Sequence, residues 1–304
     1  MMADILTLGE ALIEFTRQPD EGNRVLYEQG VGGDTSNTAI AAARQGASVG
    51  YLSAVGDDLF GQALRGVWQV EGVSQAHVIS RPDDPTGVYF VQPHASGRYF
   101  SYARRGSAAS LYGPDDLPQD AIAGAKVVHT SGLSQAISPT MRAAILRAAE
   151  IAREAGTLVS FDTNLRLNLW TLAEAKAAAA EILPLADIVF PSDDEAEKLT
   201  GLTDPDAILD HYLGHGARIV ALKRGDKGAI VATPKLRHAI PAAAATPVDS
   251  TGAGDSYAGA FLAYFLETDD VLRAGHLAAK VAAGTVSGFG AVAPIPRRDH
   301  VWPG

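Results

Sequence analysis

The chain has 304 residues, 47% of them hydrophobic and 20% charged, which is enough apolar material for a large buried core and too much for a disordered polymer. A formal net charge of −10 argues against nucleic acid or an anionic membrane surface as partner, without forbidding a small anionic ligand held by a few placed cations. The absence of cysteine removes disulfides, thiolate metal sites and cysteine nucleophiles, and fits a reducing compartment.

The opening Met-Met-Ala-Asp has neither the basic region nor the apolar stretch of a signal peptide, and no apolar run reaches membrane-spanning length; the expectation is a cytoplasmic protein. Ile5–Leu8 reads as a first buried strand ending in Gly9-Glu10. Ala11–Phe15 continues apolar but is broken by Glu14, as in a strand leaving the core. Pro19–Asn23 is a turn cluster, and Arg24–Gln29 a short exposed strand. The glycine-rich Gly30–Asn37 leads into the small-sided helix former Ala39–Ala43, which can sit close against a sheet or a ligand. Asp34 and Asn37 then lie at a helix entrance, where they cap it or bind hydroxyls.

Val49–Val55 is a second buried strand and Phe60–Val70 an amphipathic helix. Gly87–Gln92 and Arg98–Arg104 alternate apolar and polar residues around Pro93–Gly97, the pattern of a hairpin. Its tyrosines (Tyr89, Tyr99, Tyr102) and arginines (Arg98, Arg104, Arg105) set it apart from the buried strands, as an edge or a lid. From Lys126 the pattern is regular: strands at Lys126–Thr130, Thr157–Phe161, Asp187–Phe190 and Ile219–Lys223, with helices at Ser138–Ala155, Leu172–Leu183 and from Ser192. Arg224–Gly228 is a turn, Ala229–Ala232 a returning strand, and Leu272–Ser287 a closing helix. This alternation predicts an α/β fold with a mainly parallel sheet covered on both faces, its ligands beyond the carboxyl ends of the strands. The simplest organisation is one domain over residues 1–304, with lid segments at about 11–29 and 86–106.

The stretch Val248–Ser256, Val-Asp-Ser-Thr-Gly-Ala-Gly-Asp-Ser, precedes an apolar stripe of Tyr257, Phe261, Leu262 and Phe265. Gly252, Ala253, Gly254 and Asp255 therefore stand at a helix entrance, where unpaired N–H groups face any anion. A phosphate fits there, and Asp255 beside it is placed to take a proton from an attacking hydroxyl. An N-cap loop alone would also explain the pattern.

Val248–Ser256 resembles the second motif of the PfkB, or ribokinase-like, carbohydrate kinases. Gly30–Asn37 resembles their N-terminal sugar-binding segment, and Lys223–Gly228 their nucleotide-side strand and turn. Ser192–Glu195 stands where that family has Asn-x-x-Glu, with Ser192 a departure. The resemblance implies a Rossmann-like α/β/α core with a small β-sheet lid, and transfer of the ATP γ-phosphoryl group to a sugar hydroxyl. It implies Asp255 as base and the N–H groups of Gly252, Ala253 and Gly254 as anion hole. ATP would meet Ser192, Lys223, Gly225 and Gly228, with the adenine near 225–228 and 279–290. Glu195 would help hold Mg²⁺ through water, and Asp249 a monovalent cation such as K⁺.

Within that family, Tyr102-Ala-Arg104-Arg-Gly-Ser107-Ala resembles the Tyr-x-Arg-x-x-Ser-Ala pattern of the 2-keto-3-deoxygluconate kinases. Asp162-Thr-Asn164-Leu-Arg166 with Leu169-Trp170, and Gly9-Glu10-Ala-Leu, resemble theirs too. Such a substrate carries a carboxylate, which suits the donor fork of arginine. Arg104 and Arg166 would bracket it, Tyr89 and Tyr102 would cover the sugar, and Gly33, Asp34 and Asn37 would meet the hydroxyl-bearing end. A homodimer covering the lid sheet is expected by the same resemblance. Competing expectations are a fructokinase or ribokinase with no need of an arginine pair, a kinase of a phosphorylated sugar, and a sugar sensor without catalysis. A nicotinamide oxidoreductase is disfavoured by the glycine spacing at Gly30–Gly33.

Overall fold

The computed structural model describes residues 3–94 and 97–302; Ala95 and Ser96 at the expected hairpin tip lie outside the described residues. In chain order the first elements are β1 (Ile5–Leu8), β2 (Leu12–Arg17), β3 (Tyr27–Gly32), α1 (Asp34–Arg44), β4 (Val49–Gly56) and α2 (Leu59–Glu71). Two short strands, β5 (Val73–Ser74) and β6 (Val78–Arg81), precede the hairpin of β7 (Val88–His94) and β8 (Gly97–Ala103). Then come α3 (Gln119–Gly124), β9 (Val127–Ser131), α4 (Gly132–Ala136), α5 (Pro139–Ala155), β10 (Leu158–Asp162), α6 (Leu172–Ile182), β11 (Ile188–Phe190) and α7 (Asp193–Thr200). The last part holds α8 (Pro205–Gly214), β12 (Ile219–Lys223), β13 (Ala229–Thr233), β14 (Leu236–Ile240), α9 (Ala253–Thr268), α10 (Val271–Val286) and α11 (Arg298–Val301).

The main sheet runs β14-β13-β12-β11-β10-β9-β1-β4-β5, with β6 on β4. It is parallel from β12 to β5 and antiparallel at β13 and β14. Its central strands are buried at nearly every position because both faces are covered, and the pleat sorts successive side chains to opposite layers. Ile5 and Val127 join the layer of Ile40, Trp68 and Phe261 from α1, α2 and α9, while Leu6 and Val128 join that of Met141, Ile182 and Ile208 from α5, α6 and α8.

Local signals place the helix ends. Ser138 accepts the Met141 N–H at the start of α5, Pro139 occupies its first turn, and Gly156 ends it at φ 81°. The expected strand at Arg24–Gln29 forms three residues later, as β3. The turn ahead of it uses up Arg24 in a bridge to Glu21, and Gly30–Gly32 complete the strand. The small residues of α1 pack on a helix rather than on a ligand. A Cβ at Gly259 of α9 would come within 2.9 Å of the Ala41 Cβ, so α1 and α9 nearly touch backbone to backbone.

A second, four-stranded sheet orders as β3-β2-β7-β8. Its strands are drawn from residues 12–32 and 88–103, with β3 running three residues past the stretch 11–29. Its strands leave the main sheet after β1 and return into α1, so Glu10, Gly33 and Asp34 stand where the two sheets join.

Candidate active site

The first turn of α9 carries Asp255. Gly252 precedes the helix at φ 75°, in the left-handed region, and a Cβ there would lie 2.7 Å from the Ala291 carbonyl oxygen. A Cβ at Gly254 would come 3.2 Å from Lys223 Nζ. Glycine is required at 252, where the backbone is left-handed and a carbonyl stands close, and at 254 it leaves room for the Lys223 ammonium. The Ala253 N–H turns onto the Ser250 carbonyl at 3.3 Å, a long bond that an anion could take over.

Asp255 Oδ2 accepts a 2.8 Å hydrogen bond from the Asn37 amide of α1, and Oδ1 a 3.4 Å bond from the Asn164 amide. Burial, and then the nearby Asp34 carboxylate, push its carboxyl up to about 7, partly offset by the Asn37 bond. Asp34 itself accepts from the Ser131 hydroxyl and, at 3.2 Å, from Asn164; burial raises its carboxyl as well. A base with a pKa near working pH is well matched to proton abstraction.

A second cluster lies beside the first. Lys223, at the end of β12, donates to Asp162 Oδ2 at 2.6 Å, and its ammonium is held up by Asp162 and Glu195 against the pull of burial. Glu195 accepts from Thr163 Oγ1 at 2.6 Å and from the Leu165 N–H at 3.0 Å. Arg166 stands at 3.6 Å from Glu195, with 47% of its side chain exposed. Asp162 and Glu195 are the oxygen donors that fit a hydrated Mg²⁺, which keeps most of its waters; no cluster of three metal-ligating side chains occurs among the described residues.

A cavity of about 500 Å³ opens from Lys223, Ala253 and Gly254 at one end to Ala279, Ala282, Ala283 and Val286 of α10 at the other. The polar end suits phosphates and the alanine-lined end a flat purine. Gly225 and Gly228 are among its lining residues; the wall formed by Ala242, Ala243, Ala245 and Pro247 had no signal beyond small apolar residues. Ser192 is not among its lining residues and bonds Asp194 at 2.8 Å. Ala282→Trp should fill the apolar end and weaken binding of a purine nucleotide by about tenfold or more, as calorimetric titration would show.

The lid residues assemble as a stack. Tyr89 and Tyr102 lie with ring centroids 5.7 Å apart, and the Arg104 guanidinium sits 5.5 Å above the Tyr102 ring. The Tyr89 hydroxyl donates to Glu14, and Gly32 leaves it room, since a Cβ there would be 3.0 Å from the ring. Arg104 is not the free cation that the sequence suggests: it pairs with buried Glu10, which also accepts from Ser107 at 2.7 Å. Gly33 has φ 113°, and a Cβ there would be 2.8 Å from the Ala11 Cα, so its need for glycine comes from the left-handed turn and the close Glu10–Ala11 backbone just before β2.

Asp249 works as a loop staple. One oxygen accepts from the Thr251 N–H and hydroxyl at 3.0 and 2.7 Å, and the other from the Gly290 N–H at 2.9 Å. Sequence reasoning gave no individual role to Glu10, Asp162, Thr163 or Asn164. All four lie in motifs it quoted, but their partners are up to 130 positions away, as for Asn164 with Asp34.

A glycine-bounded helix entrance, a buried carboxylate and a cavity of nucleotide size thus stand side by side. Residues 2–298 match the profile of the pfkB family carbohydrate kinases, and the chain belongs to that family. It is 35% identical to the 2-dehydro-3-deoxygluconokinase of Thermoproteus tenax, over 97% of this chain and 93% of that one. It is 36% identical to fructokinase-2 of Solanum lycopersicum, over 88% and 84%. Among solved structures it resembles a ribokinase II candidate of E. coli in complex with ATP and Mg²⁺, with TM-score 0.90, 26% identity, and coverage of 98% and 97%. The protein is a sugar kinase with the ribokinase-like α/β fold, transferring a phosphoryl group to an alcohol. No described helix is long and apolar enough to cross a membrane.

Proposed function

We propose that the protein phosphorylates 2-keto-3-deoxy-D-gluconate at its 6-hydroxyl with ATP, giving 2-keto-3-deoxy-6-phosphogluconate and ADP. The observation that carries this reading is the half-exposed Arg166, a cation at the mouth of a site otherwise rich in carboxylates. A sugar carboxylate matches its donor fork, and a neutral sugar leaves it without a substrate partner.

Asp255 takes the proton from the 6-hydroxyl as that oxygen bonds to the γ-phosphorus and the bond to the β-phosphate oxygen breaks. Asn37 orients the carboxylate. The N–H groups of Gly252, Ala253 and Gly254 and the Lys223 ammonium face the charge on the transferring group. Mg²⁺, near Glu195 and Asp162, would neutralise phosphate charge when bound. Tyr89 and Tyr102 cover the sugar and keep out water. Gly33, Asp34 and Asn37 border the hydroxyl end. Asp249 shapes the nucleotide loop, and a K⁺ there would share an oxygen already bonded to N–H groups. The exposed Phe90, Tyr99 and Phe100 of the lid sheet suit a homodimer. The absence of cysteine suits the cytoplasm.

The second reading is a fructokinase. It is favoured by the Glu10–Arg104 pair, which neutralises one of the two arginines expected at the carboxylate. Arg166→Ala separates the two. Under the first reading, kcat/KM for the keto acid falls by about 10²–10³-fold while any activity on fructose is kept, since a charge-assisted bidentate contact is lost. Under the second, the keto acid is poor for wild type and variant alike.

A further inference from the structure

We infer that Asn164 is a positioning residue whose side-chain amide is shared by the Asp34 and Asp255 carboxylates and so sets the ionisation and orientation of the base. The inference rests on the reading of Asp255 as base. The Asn164 amide nitrogen lies 3.2 Å from Asp34 Oδ2 and 3.4 Å from Asp255 Oδ1. Among the described residues it is the one side chain bonded to both; Asn37 reaches only Asp255 and Ser131 only Asp34.

The backbone is bent to achieve this. Asn164 has φ 31° and is 4% exposed; with Asp269 it is one of two non-glycine residues at positive φ among those described. Asparagine is among the few side chains that tolerate this region. The turn is held from both sides, because the Asn164 N–H donates to Asp162 Oδ1 at 3.1 Å and the Leu165 N–H to Glu195 Oε1 at 3.0 Å. A strained residue fixed by its surroundings, with its polar end aimed at the reacting group, is the pattern of a functional constraint.

The electrostatics give the direction. Two carboxylates in one buried site resist joint ionisation, and a donor shared between them eases it. The charged and titratable groups facing Asp255 are Asp34 on α1, Asp162 and Arg166 flanking the Asn164 turn, Lys223 at the end of β12, and the Tyr89 hydroxyl of the lid. Taking away the amide leaves these unchanged and the two aspartates less relieved. Asp255 then loses its proton only at higher pH.

The test is the pH profile of kcat/KM for wild type, Asn164→Gly, Asn164→Asp and Asp255→Asn. The acceptor is whichever of 2-keto-3-deoxygluconate, fructose and ribose the wild type uses fastest. Glycine keeps the turn and removes the amide; aspartate keeps the shape and adds a carboxylate, so either folded variant serves. The expected result is an acid limb moved upward by about one pH unit in both, with KM for ATP unchanged. A purely structural role would lower melting temperature and leave the limb in place. An unmoved limb with Asp255→Asn inactive overturns the inference and leaves the base assignment intact. An active Asp255→Asn removes the base assignment and this inference together.

Discussion

Asp255→Asn is expected to lower kcat for sugar phosphorylation by about 10²–10⁴-fold, the range for loss of a positioned general base. The amide keeps the shape but offers one acceptor oxygen where the carboxylate offers two, so it holds only one of the Asn37 and Asn164 donors, and KM for ATP should change little. Thermal stability should equal or exceed that of wild type, most clearly above pH 7. Burial raises the folded carboxyl from its ordinary 3.8 to about 7, so the folded state retains a proton that the unfolded chain has released. Wild-type stability therefore declines as pH rises across that window, and the variant is free of this decline. Steady-state kinetics and melting curves at several pH values check both halves. A variant that is inactive and also unfolded would mean that the carboxylate is structural.

Lys223→Met is expected to have the other large effect, on stability as well as rate. The ammonium sits between buried Asp162 and Glu195 and bonds the former at 2.6 Å. Removing one member of a buried pair leaves uncompensated charge, which typically costs about 3–5 kcal/mol. Chemical denaturation should show that loss. Adding Asp162→Asn should restore part of it, because the amide removes one stranded carboxylate while keeping an acceptor for the Asn164 N–H; non-additivity in that cycle measures the coupling. Activity should not return in the double variant, since the charge facing the phosphates is still missing. Full additivity would mean that Lys223 and Asp162 act independently.

Much of this was legible in the sequence, for identifiable reasons. Most of the parallel strands begin with short apolar runs, and α5 is framed by Ser138-Pro139 and Gly156, so local chemistry marks them. Gly252 and Gly254 signalled a tight helix entrance, and the structure supplies the left-handed turn and close carbonyl that require Gly252. The short β5 and β6 and helices α3 and α4 escaped because two to six residues carry too little periodicity to register. The state of Arg104 escaped for a different reason. Its partner, Glu10, lies just past the end of β1, far away in the chain, and the two meet only where the second sheet joins the main one. In the same way nothing within Asp162-Thr-Asn164 says that one amide will reach two aspartates from different helices.

ADP release by the wild-type protein, with ATP and Mg²⁺, on 2-keto-3-deoxygluconate, fructose, ribose and tagatose-6-phosphate decides among these substrates. ADP is expected in step with a phosphorylated keto acid, with kcat/KM for that substrate at least about tenfold above each of the others. A preference for fructose would contradict the substrate assignment and leave the kinase site around Asp255 standing. No ADP release with any acceptor would contradict the assignment of a working base at Asp255.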